Sequence, residues 1–132
     1  MQTLFSNLPA IAHLLIGFFF VFFGVWNVYH WFATMETMSK NGVPHPYILL
    51  PIGILWETIA GAMIIGGMFV KLAALSLIPF TIISICMFHP FWKMRGEHRV
   101  LNFTIFLINL TVTVGALILL ISPVMQFSDF LT

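Results

Sequence analysis

Residues 47–68 read YILLPIGILWETIAGAMIIGGM. The run is long enough to cross a bilayer, which needs about 20 apolar residues. It holds one charge, Glu57, near its middle. A lone carboxyl in hydrocarbon is costly, so such a residue is buried in protein, paired or kept protonated, and marks a candidate functional site. Gly53 and Gly61 stand four residues either side of it. Positions i−4, i and i+4 share a helix face, so the acid lies in a strip free of neighbouring side-chain bulk, where a second helix can approach closely. Two readings of Glu57 stay open: hydrogen-bonded glue between helices, or a group that handles protons, a ligand or a cofactor.

The rest of the chain repeats the membrane signature. Of its 132 residues 61% are hydrophobic and 7% charged, against about 25% charged in a soluble domain. Four apolar runs predict an all-α, integral membrane, antiparallel four-helix bundle with spans at about 8–31, 47–68, 72–88 and 100–121. The first run lacks a basic leader and is too long for a cleaved signal, so it reads as a retained helix. Along it His13, Gly17, Phe20, Gly24, Asn27 and Trp31 recur at three- and four-residue steps and share a face. Residues 33–40 form about two turns of amphipathic helix, with Glu36 and Lys40 spaced i, i+4. Asn41-Gly42 then marks a C-cap and turn. Pro44 and Pro46 introduce the second span, and Gly66-Gly67 ends it. Pro79 should bend the third. Ser122-Pro123 ends the fourth.

With four spans, the first and third connections share one end. That end gathers Lys40, Lys93, Arg95 and Arg99, against Lys71 alone at the other. Basic residues favour the cytoplasm, so both termini are expected on the non-cytoplasmic side of a multi-pass bacterial inner-membrane protein. The same end holds His30, His45, His89 and His98 with Trp26, Tyr29, Trp31 and Trp92. These aromatics fit an interfacial belt. The histidine spacing resembles no metal site, and no metal is expected. The single cysteine, Cys86, excludes an internal disulfide and a CxxC redox pair. There is no basic patch for nucleic acid and no nucleotide motif. Besides Glu57, the functional-site candidates are Asn109, at similar depth in the fourth span and placed to donate to the Glu57 carboxyl, and Asn102 on the same helix. His89, Trp92 and Arg99 are expected to shape the mouth of the bundle.

Taken in order, LLIGFFFVFFG, KNGVPHP, P....WE...GAMIIGGMFVKLAAL, FHPFW and a terminal GALILL resemble the DoxX family of small bacterial membrane proteins over about residues 10–130. The resemblance places Gly42, Pro44, Glu57, Gly61, Gly67, Lys71, His89 and Asn109 on recurring family positions and makes residues 1–132 a single DoxX-like domain. Two departures stand out. Leu14, Leu15 and Ile16 precede Gly17 where the family often carries an Arg, and only Ser128 and Asp129 echo its usual ending. The resemblance implies a non-catalytic subunit or scaffold of a membrane complex, in some members quinone-linked and redox-active. The expected surroundings are the lipid bilayer, a membrane or redox protein partner, and a second copy in a homo-oligomer. No resident cofactor is implied, although a quinone is compatible with the aromatics near Glu57. The alternative is a small proton- or cation-coupled transporter that uses Glu57.

Overall fold

The computed structural model describes residues 2–121, with side chains from Asn7 onward. The expected helix end at Ser122-Pro123 and the tail with Ser128 and Asp129 lie outside the described residues. The order is α1 (Gln2–Tyr29), α2 (Trp31–Lys40), α3 (Pro46–Gly66), α4 (Val70–Phe88), a 3-10 turn (Phe91–Lys93), α5 (Gly96–Ile108), a π-helical segment (Asn109–Thr113) and α6 (Val114–Ile121). α1, α3, α4 and the continuous run from α5 to α6 are each long and apolar enough to cross a membrane. The chain is a multi-pass, all-helical membrane protein, as its hydropathy requires.

Local chemistry sets the ends of these helices. After α2, Gly42 takes the left-handed conformation (φ +80°). Its N–H donates to the Ser39 carbonyl and the Val43 N–H to that of Met38. This 5→2 and 6→1 pair is a Schellman cap, sealed by Val43 packing beside Met38. α3 opens with Pro46, where a missing N–H costs nothing. It closes on the same motif: Gly67 at φ +72°, with Gly67 N–H to Ile64 and Met68 N–H to Met63. α4 starts after Phe69, a non-glycine residue at φ +47°. α4 also runs unbroken through Pro79, which is exposed. The ring removes one backbone bond without dividing the helix.

The fourth span departs most from expectation. It starts at Gly96, earlier than the expected 100, and contains a π-helical segment that periodicity did not reveal. There the Asn109 amide donates to the Ile105 carbonyl and the Thr111 hydroxyl to that of Leu107. The Thr113 hydroxyl reaches Asn109 Oδ1 at 3.5 Å. Side chains that bond the preceding turn's carbonyls compete with the i→i−4 ladder. The ladder here lengthens by one residue, so that the Val114 N–H meets the Asn109 carbonyl.

Two apolar clusters hold the bundle. One joins Phe20 of α1, Ala60 and Ile64 of α3, Ala73, Ala74 and Leu77 of α4, and Leu117 of α6. The other lies at the end carrying the first and third connections, where α2 folds back and buries Met38 against Leu50 and Ile54. The amphipathic reading of residues 33–40 is thereby accounted for: Met38 faces the bundle, while Glu36 and Lys40 pair at 3.1 Å on the exposed side. Asn41 ties the two connections together. Its amide donates to the Met87 carbonyl, and its own carbonyl accepts from Lys93 Nζ at 3.3 Å. α6 packs on α4, but no residue of α5 is buried.

Candidate functional site: a carboxyl between two helices

α1 and α3 share the most extensive interface of the bundle, and glycine makes it tight. A Cβ at Gly17 would stand 2.7 Å from the Gly61 carbonyl oxygen, and one at Gly61 would stand 2.8 Å from that of Gly17. Two turns further along α1, a Cβ at Gly24 would collide with the Thr58 hydroxyl and touch Glu57 Cγ. Backbones this close bring short polar side chains within reach of each other. Asn27, three residues after Gly24 on the same face, donates from Nδ2 to Glu57 Oε1 at 3.1 Å. Glu57 is 6% exposed. It lies on α3 between Ile54 of one apolar cluster and Ala60 of the other.

The partner of Glu57 is therefore Asn27 of the first span and not Asn109, whose amide is used within its own helix. Sequence reasoning placed Asn27 on the right face of α1 but did not pair it. The register of α1 against α3 decides that pairing, and the glycines at 17, 24 and 61 were the available signal. The two glycines flanking Glu57 also play different parts. Gly61 admits α1, while Gly53 meets Phe80 of α4 at an ordinary 3.6 Å. Next to Glu57 the Thr58 hydroxyl is buried with no hydrogen-bond partner among the described residues, and the same holds for the Thr81 hydroxyl on α4. α3 and α4 are clasped separately, by Trp56 Nε1 donating to Ser76 Oγ at 3.2 Å.

The remaining candidates sit elsewhere. His89 and Asn102 meet at 2.7 Å between His89 Nδ1 and Asn102 Oδ1, and the Asn102 amide donates to the His98 carbonyl. This pins the start of α5 to the end of α4. Trp92 packs edge-on against Phe91 and Phe106 and is half-exposed. Arg99 is exposed on α5. These residues form a polar end to the bundle, separate from Glu57. Among the described residues no three His, Cys, Asp or Glu side chains come together in a group that could hold a metal ion. Glu57 lines neither the cleft beside the first connection, at Asn41 and Lys93, nor the one between Trp56 and Ser76.

Comparison with known proteins agrees with this architecture. Inner membrane protein YphA of Escherichia coli (strain K12) is 27% identical over 110 residues, which is 83% of this chain and 78% of that protein. No solved structure matches the chain. The model of the DoxX family matches residues 8–90, which takes in Gly17, Gly24, Asn27, Glu57, Gly61 and His89 but not Trp92, Arg99, Asn102 or Asn109. Three spans, their glycine-lined interface and the embedded carboxyl thus fall inside the matched stretch, and the chain belongs to the DoxX family.

Proposed function

We propose that this protein is a non-catalytic membrane subunit or scaffold that serves a membrane complex linked to quinone-dependent redox chemistry, and that Glu57 works as a clasp within it. The observation that carries the reading is the Asn27–Glu57 hydrogen bond at 3.1 Å across a glycine-tight interface. A carboxyl enclosed by two helices that cannot separate without exposing it is suited to fixing a shape that a partner recognises. The scaffold holds no cofactor of its own in this reading, and any quinone is bound by the partner. The complex sits in the bacterial inner membrane, a setting supported by the name of the Escherichia coli relative. The connections rich in Lys and Arg face the cytoplasm and the termini face away. A second copy of the chain is a further candidate partner.

The test is isolation from native membranes in mild detergent. A redox membrane protein recovered at fixed stoichiometry with both the wild type and Glu57→Gln is the expected result. A protein that is purified alone and needs Glu57 for transport would exclude the scaffold reading. For orientation, a C-terminal reporter active only in the cytoplasm should stay silent.

One observation favours a second reading, a small proton- or cation-coupled transporter. The Thr58 hydroxyl, next to Glu57 in the chain, is buried with no partner among the described residues, and an unsatisfied polar atom beside an embedded acid is what a transported ion would use. Uptake of a labelled cation by wild-type proteoliposomes, abolished by Glu57→Gln, would establish it.

A further inference from the structure

A cleft of about 390 Å³ opens between the first connection, α3, α4 and the 3-10 turn. Its composition changes with depth. At the rim stand Asn41, Gly42 and Lys93, and the deeper walls are Leu49, Ile82 and Ile83. Ile82 lies six residues before the end of α4, so at 1.5 Å per residue the cleft reaches roughly 9 Å into the apolar layer. Leu49, Ile82 and Ile83 are each more than a third exposed, so the walls are open toward lipid.

The rim carries an uncompensated charge. Lys93 Nζ donates to the Asn41 carbonyl at 3.3 Å and would stand 3.5 Å from a Cβ at Gly42. That holds the ammonium over the cleft mouth and leaves two of its three protons free. Among the described residues the one ion pair is Glu36 with Lys40, elsewhere on this end. Lys40, Lys93, Arg95 and Arg99 face only Glu36 and Glu97 there. A cation fixed above an apolar slot at interface depth matches a molecule with a negative head and a hydrocarbon tail.

We propose that this cleft seats one anionic phospholipid, its phosphate on Lys93 and one acyl chain along Leu49, Ile82 and Ile83. The inference is independent of the scaffold reading, because neither Glu57 nor Asn27 lines the cleft. Lys93 is exposed, so its removal leaves the packing intact. Ordinary lipid solvation would show no preference for one headgroup and no dependence on a single lysine.

The experiment titrates the purified full chain with phosphatidylglycerol or phosphatidylcholine and counts retained lipids by native mass spectrometry. One phosphatidylglycerol should be retained in preference. Lys93→Gln should weaken that retention about five-fold, the effect of one basic residue near an anionic surface. Lys40→Gln should not, and Ile83→Trp, which fills the apolar wall while keeping the charge, should. Cys86 also lines the cleft, so phosphatidylglycerol in nanodiscs should slow its alkylation by N-ethylmaleimide. Equal retention of both lipids would overturn the proposal, as would equal losses from Lys40→Gln and Lys93→Gln. Protection of Cys86 by inorganic phosphate alone would also overturn it, by showing an anion site without a lipid.

Discussion

The amide of Asn27 lies 3.1 Å from the carboxyl of Glu57, thirty positions along the chain, and this contact joins the two helices that pack most extensively. Hydrogen bonds between membrane helices contribute about 0.6 kcal/mol on average and up to about 1.7. Glu57→Gln keeps an acceptor for Asn27 and should leave stability within about 0.5 kcal/mol of wild type. Glu57→Leu leaves the Asn27 amide without its acceptor and should cost roughly 1–3 kcal/mol. Reversible unfolding in mixed micelles measures both. Asn27→Leu combined with Glu57→Leu should cost less than the two single changes added, because neither then strands the other.

The glycines should separate sharply by position. Gly17→Ala and Gly61→Ala each push a methyl to within 3 Å of a carbonyl oxygen across the α1–α3 interface. Overpacking of this kind costs typically 1–3 kcal/mol. Gly115→Ala meets nothing within 4 Å and lies in a helix, so it should be neutral or stabilising by about 0.5–1 kcal/mol. Thermal unfolding of the three variants in one detergent ranks them. Equal effects would show that the interface is not tight.

Backbone conformation at the short turn between α3 and α4 makes a paired prediction. Gly67→Ala places a side chain at φ +72° and should destabilise by about 1–2 kcal/mol, whereas Phe69→Gly relieves a residue held at φ +47°. Phe69 is exposed, so its loss removes little packing. The two changes should therefore shift the unfolding midpoint in opposite directions.

Asn102→Ala removes both the His89 contact and the bond to the His98 carbonyl. α5 buries no residue, so little else holds its first turns. Amide hydrogen exchange in residues 96–102 should rise by roughly ten-fold, the loss of about 1.4 kcal/mol of local stability. Exchange around Glu57 should stay unchanged.

The amino-acid sequence alone determined the four spans, the amphipathic helix of the first connection and the glycine caps. Each follows from local physics: a bilayer demands about 20 apolar residues and internally bonded backbone, and Gly42 and Gly67 are placed where a helix must turn left-handed. It also singled out Glu57, because an acid in hydrocarbon is conspicuous in one dimension. Only the tertiary structure decided what Glu57 touches. Asn27 and Asn109 lie on different helices, and hydropathy carries no information about rotation or register. The choice fell to Asn27 because Gly17, Gly24 and Gly61 let α1 approach α3 closely, while Asn109 turned back on its own helix and opened the π-helical segment. The cleft under Lys93 was likewise invisible in the sequence, since it forms only where Asn41, Leu49, Ile82 and Lys93 are brought together from four parts of the chain.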